Sequence, residues 1–188
     1  MNVSPIQFRV SDLHRVVCDA LERTGLPANR LELEITEGTL LEDPKRADTM
    51  SRLREQGVRI ALDDFGTGYS GLGYLQKFRI DKLKIDRSFI ARLGEADDAT
   101  IIVGTIVGLA HNLGLSVTAE GVETPEQLAL VREFMCEEAQ GFLLGRPLPS
   151  GGPSQFPPGH VRHDFGRVNG GVRRASITAA PKAVAPVS

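Results

Sequence analysis

The sequence predicts an α/β protein, either a parallel sheet or a (β/α) barrel. Two observations carry this. Short strand-like apolar runs alternate with longer runs of helical spacing, and the loops between them are short. With 188 residues, 41% hydrophobic and 24% charged, the chain can bury a sizeable single core. A third observation bears on function: nearly every strand-like run ends in a carboxylate, a lysine or an amide.

The elements follow in order. Asn2-Val3-Ser4 opens the chain. From Ser11, the residues Leu13, Val16, Val17, Ala20 and Leu21 keep helical spacing, and Gly25 with Pro27 closes that helix. Residues 31–36 read as a strand. Asp43 as N-cap and Pro44 in the first helical position start a second helix, with Ala47, Met50 and Leu53 inward and Gly57 at its end. Residues 58–62 form the next strand, and the pair Asp63-Asp64 is placed where it ends, ahead of Gly66 and Gly68. A short helix is expected near residues 72–77 and a strand at 83–86. A long helix from about Asp97 turns Ile101, Ile102, Ile106, Leu109, Ala110 and Leu113 inward and stops at Gly114. Residues 116–119 are a strand. Thr124-Pro125-Glu126-Gln127 caps a helix with Leu128, Val131 and Met135 inward, and residues 138–143 are the last strand.

Charge and composition exclude several classes. The net charge of −2 gives no global pull toward a nucleic acid polymer. It hides a split: residues 151–188 carry a net +4, so residues 1–150 carry −6. Cys18 and Cys136 fall in helical, core-facing patterns without CxxC spacing, which argues against zinc or a disulfide framework and for a cytoplasmic chain. No run is long and apolar enough for a membrane span, and the N-terminus has no signal-peptide pattern. After Pro149 the periodicity stops. The segment 150–188 is expected to be a disordered Gly/Pro-rich tail, with His160 and His163 solvated.

The polar strand ends form a constellation: Asn2, Glu34, Asp63 with Asp64, Lys84 with Asp86, Glu120 and Gln140. One carboxylate at a strand end is ordinarily a cap or turn residue. Recurrence over successive strands is what points to a site, because the carboxyl ends of barrel strands converge on one face. Hard oxygen donors suit Mg²⁺, Mn²⁺ or Ca²⁺. Their number suits two ions spaced to cleave a phosphate ester. Lys84 would orient a nucleophile or neutralise phosphate charge. His111, on the long helix, reads as a packed or interfacial histidine.

These residues resemble the EAL domain, the bacterial family that hydrolyses the second messenger cyclic di-GMP. The resemblance rests on Asn2-Val3-Ser4 with Gln7-Phe8, Glu32-Leu33-Glu34-Ile35-Thr36-Glu37, the loop 63–70, and Leu83-Lys84-Ile85-Asp86-Arg87-Ser88-Phe89. It continues through Ala119-Glu120-Gly121-Val122-Glu123-Thr124 and Gln140-Gly141-Phe142 with Arg146-Pro147-Leu148-Pro149. It implies a modified (β/α)8 TIM-like barrel and a phosphodiesterase that opens cyclic di-GMP to linear pGpG with two Mg²⁺ or Mn²⁺ ions. It implies that Asn2, Glu34 and Asp63 bind one metal, and that Asp63, Asp64 and Glu120 bind the second. Lys84, Asp64 and Glu120 are then the catalytic set, and Asp86 and Gln140 line the site. Glu37 braces the 63–70 loop, and Glu123 gives similar outer support. A homodimer through the region after Asp64, and sensory or GGDEF domains upstream, are also implied.

The pattern departs from the family in one respect. The tripeptide Glu-Ala-Leu occurs nowhere in the chain. In the family it lies upstream of the Asn-Val-Ser strand, together with a phosphate-contacting Arg. The expectation is therefore a partial EAL domain over residues 1–149, strands three to eight of the barrel, with impaired hydrolysis. Because Val commonly precedes this Asn in the family and GTG can serve as a start codon, a misplaced start or a truncated gene is expected. The alternative expectation is a non-catalytic module that binds cyclic di-GMP or a protein.

Overall fold

The computed structural model describes residues 1–10, 12–41, 44–67, 75, 78–95 and 97–146. The expected helix at 72–77, the Asp43 cap and the whole 150–188 segment lie outside or largely outside these residues. Helices α1 (Pro5–Val10) and α2 (Leu13–Thr24) precede strand β1 (Glu32–Thr36). Helices α3 (Glu37–Leu41) and α4 (Pro44–Glu55) then lead to β2 (Arg59–Phe65) and β3 (Lys82–Ile85). Helices α5 (Arg87–Ala91) and α6 (Asp97–Asn112), strand β4 (Ser116–Glu120), helix α7 (Pro125–Glu133) and strand β5 (Glu138–Gln140) complete the order.

All four strand pairings are parallel, in the order β1-β2-β3-β4-β5. Each strand thus sits beside its predecessor, as in a (β/α) barrel. The segment at Asn2 is a single parallel bridge to Glu34 rather than a strand. Two backbone bonds fix it: Val3 N–H donates to the Glu34 carbonyl at 2.9 Å, and Glu34 N–H donates to the Met1 carbonyl at 2.8 Å.

The strands alternate in character with period two. Leu33, Ile35, Ile60, Leu83, Ile85, Val117 and Ala119 are almost wholly buried in one apolar cluster with Val17, Leu53, Val103, Val107 and Val131 of the helices. The core therefore lies between sheet and helices, and each buried Val, Leu or Ile side chain contributes about 1.5–3 kcal/mol. The alternate positions are polar: Glu32, Glu34, Lys82, Lys84, Thr118, Glu120, Glu138 and Gln140. Lys82 Nζ lies 2.9 Å from Glu32 of β1 and 2.8 Å from Glu138 of β5. Those two strands would stand about 19 Å apart in a flat five-stranded sheet. The sheet is therefore rolled, with its polar face inside.

Gly25, at φ 66°, ends α2 as expected, and Asp12, not singled out in the sequence, caps its start by accepting from Arg15 N–H at 3.2 Å. Thr124 and Gln127 form a reciprocal capping box on α7. Four readings need correction. Strand β2 continues past residue 62 to Phe65, because Asp63 pairs with Thr36 and Phe65 with Ile85. On α6 the buried residues are Ala99, Val103, Ile106, Val107 and Ala110, while Ile101 is 68% exposed. Met135 follows α7 at φ 62° and turns outward. The last strand stops at Gln140, where Gly141 redirects the chain.

Candidate functional site

Adjacent residues in a regular strand point to opposite faces, so Asp63 and Asp64 would not ordinarily share a site. A bulge separates Leu62 from Phe65 in the β2–β3 register, and Asp64 adopts a left-handed φ of 54°. This irregularity brings the pair together. Asp63, Asp64 and Glu120 each present a carboxylate oxygen, and these oxygens lie within 4.8 Å of one another.

Lys84 is the hub of the cluster. Its Nζ lies 2.7 Å from Glu34 Oε2, 2.9 Å from Asp63 Oδ1 and 2.6 Å from Glu120 Oε1. The Asp63 contact is a charge contact off the hydrogen-bond direction, which leaves Asp63 Oδ1 buried without a hydrogen-bond partner among the described residues. Burial opposes the ammonium, but the close carboxylates of Glu120, Glu34 and Asp63 outweigh it and hold the Lys84 pKa far above its ordinary value. Lys84 therefore keeps its charge at neutral pH. Burial also works against ionised Glu34, yet the Lys84 bond and charge keep its pKa below the ordinary value. Glu120 is shifted upward, by burial first and by repulsion from Asp63 and Glu34. Asp64 is likewise shifted upward, by burial and then by the charges of Asp63 and Asp86. One lysine thus leaves several carboxylates under mutual repulsion, a potential that a divalent cation relieves.

The remaining residues divide. Gln140 Nε2 donates to Glu120 Oε1 at 2.6 Å. The next residue, Gly141, lies against the backbone after β4, where an added Cβ would sit 2.2 Å from the Val122 carbonyl oxygen. Asp86 caps α5 by accepting from Ser88 N–H at 2.9 Å. Asn2 joins the site through its backbone bridge to Glu34, while its side chain is exposed. Glu37 is buried, and its Oε2 has no hydrogen-bond partner among the described residues. Residues 68–70 of the loop it was expected to brace lie outside them. The exposed Glu123 side chain makes no hydrogen bond or ion pair among the described residues; its backbone N–H donates to Gln127 Oε1 at 2.8 Å. His111 packs against Glu137, with Nε2 3.4 Å from Oε1.

Sequence reasoning missed Glu32, Lys82 and Glu138. The signal was available: Glu32 and Glu34, like Lys82 and Lys84, are charged residues two apart on strands that otherwise bury aliphatic side chains. Near that end of the strands lies a cleft of about 790 Å³, lined in part by Arg54, Arg59, Asp81, Lys82, Ser116 and Glu138. Its charges are largely matched internally. Arg54, for example, donates two bonds to Asp81, at 3.0 and 2.6 Å. The cleft is therefore a poorer candidate than the smaller carboxylate cluster around Lys84.

The EAL domain family model matches residues 1–147. A cyclic di-GMP phosphodiesterase of Pseudomonas aeruginosa, NbdA, is 48% identical over 138 residues, 73% of this chain and 18% of the relative. Among solved structures, the PaMucR phosphodiesterase in complex with c-di-GMP shares 43% identity at a TM-score of 0.75, covering 79% of this chain and 61% of that one. Klebsiella pneumoniae BlrP1, in a manganese and cyclic di-GMP complex, shares 32% identity at a TM-score of 0.73, covering 78% and 38%. The chain spans about a fifth of the length of the curated relatives it matches. On the family match and these likenesses, the chain belongs to the EAL domain family.

Proposed function

We propose that this chain carries the metal-dependent centre of a cyclic di-GMP phosphodiesterase. The observation that carries the reading is the convergence of Asp63, Asp64 and Glu120 oxygens within 4.8 Å, in a chain matched by the EAL family over residues 1–147. The all-oxygen donor set fits Mg²⁺ or Mn²⁺. Asn2, Glu34 and Asp63 would hold one ion, and Asp63, Asp64 and Glu120 the other. When bound, such ions neutralise phosphate charge and acidify water.

The chain's own residues then take distinct parts. Lys84 holds three carboxylates and stays protonated, so it positions and neutralises rather than acting as a base. Gln140 fixes the orientation of Glu120. Asp86 caps α5 and adds negative charge beside Asp64. Glu37 keeps a role in bracing the 63–70 loop. Nothing among the described contacts supports such a role for Glu123. A homodimer through the region after Asp64, upstream sensory or GGDEF domains, a cytoplasmic setting and a domain limit near residue 149 complete the reading.

A second reading also has an observation behind it. Lys84 already neutralises Glu34, Asp63 and Glu120 in part, from 2.6–2.9 Å. Such an arrangement suits a non-catalytic module. The chain also contains no Glu-Ala-Leu, so slow hydrolysis is expected of these 188 residues alone. The test is product formation from cyclic di-GMP with Mn²⁺, measured by chromatography. We expect weak turnover that Asp63→Asn reduces by at least about 100-fold, beyond the loss usual for an outer-shell residue. Nucleotide binding without turnover would favour the second reading, and neither binding nor turnover would sink both.

A further inference from the structure

Beneath the carboxylate cluster lies a second charged tier on the same strands. Glu32, Lys82 and Glu138 stand two residues before Glu34, Lys84 and Gln140 on β1, β3 and β5. The strand period of two puts each lower residue on the same face as its upper partner, about 7 Å along the strand. Lys82 Nζ donates to Glu32 Oε1 at 3.1 Å and to Glu138 Oε2 at 2.8 Å. Thr118 Oγ1 of β4 donates to the same Glu138 oxygen at 3.1 Å. Lys82 is only 3% exposed.

This tier joins the first and last strands of the rolled sheet through one side chain. Among the described residues no main-chain ladder does so: the β1 and β5 edges are four strands apart in the hydrogen-bonded order. A buried ion triad is a poor means of stabilisation, since well-packed apolar residues of similar size usually do as well or better. A hydrogen-bonded triad does fix a distance, which an apolar contact does not.

We propose that Lys82 is a positioning residue for the metal centre. By tying Glu32 to Glu138, it sets the spacing between β1, which carries Glu34, and β5, which carries the Glu120-orienting Gln140. The inference rests on the reading of Glu34, Asp63, Asp64 and Glu120 as metal ligands. It adds that their spacing is imposed from one tier below by residues that never touch the ion.

The test is Mn²⁺ binding to the full chain, followed by the electron paramagnetic resonance signal of the free ion. The double variant Lys82→Met/Glu138→Gln removes the tie but leaves the triad's net charge unchanged, so a change in affinity is not simply Coulombic. We expect its dissociation constant to rise about tenfold, the scale seen for outer-shell partners of metal ligands, while thermal unfolding stays cooperative. Equal affinity in a folded double variant overturns the proposal. Should that variant not fold, Glu138→Asp decides. It keeps the charge pair but shortens the reach by one methylene, and unchanged Mn²⁺ affinity there also overturns the proposal. If the parent chain itself does not bind Mn²⁺, the metal reading fails and the positioning role fails with it.

Discussion

Asp64 shows how one residue carries a local conflict for the sake of a site. Its φ of 54° is tolerated by aspartate better than by most side chains. Burial first, and then repulsion from Asp63 and Asp86, raises its pKa. Cys136 shows an opposite case, a titratable group with no part in the cluster. It is fully buried, and burial together with the Glu137 charge pushes its thiol from 9.0 up to about 12. Between about pH 9 and pH 12 the unfolded chain has released this proton while the folded chain keeps it. Stability contributed by Cys136 is therefore present below pH 9 and is lost as pH rises, by up to about 1.4 kcal/mol per unit. Replacing it should flatten that slope. Urea unfolding of the parent and of Cys136→Ala at several pH values from 8 to 10.5 measures the difference. Parallel pH dependences would show that the thiol is not protected.

At the scale of elements, α6 tests how the core was chosen. Its sequence is apolar on several sides, so periodicity alone allows more than one inward face. The structure buries Ala99, Val103 and Val107 at four-residue spacing, with Ile106 and Ala110 beside them. Ile106→Ala should cost about 2–4 kcal/mol. Ile101→Ala, at a 68% exposed position, should change stability by less than about 0.5 kcal/mol. Denaturant midpoints of the two variants check this, and equal losses would contradict the observed face. The example marks what was legible in the sequence. The strand–helix alternation, the Gly25 and Thr124 caps and the polar strand ends could be read from local chemistry. The bulge could not, because aspartates are depleted from strands and so read as a strand end. What carries β2 through Asp63 and Asp64 is pairing with β1 and β3, which is non-local. The Lys82 tier was missed for a similar reason. Its alternation is visible within β1 and within β3, but the contact from β3 to β5 exists only once the sheet is rolled.

The described residues form a rolled parallel sheet with its apolar core outside, under the helices, and its charged tiers inside. The clustered oxygens come from β1, β2 and β4, and Lys84 of β3 stands among them. No two of these strands keep their relation in the unfolded chain, so an ion bound here is bound essentially by the folded state alone. Linkage then fixes the size of the effect. Mn²⁺ at a hundredfold excess over its dissociation constant should add about 2.7 kcal/mol of stability, a rise in Tm of roughly 5–10 °C for a domain of this size. Scanning calorimetry before and after Mn²⁺, with reversal by a chelator, measures it. Asp63→Asn should lose most of the rise, because Asp63 is the residue assigned to both ions. A parent Tm indifferent to Mn²⁺ would mean that Lys84 alone serves the carboxylates, and that the inner face is an ion-pair core rather than a metal centre.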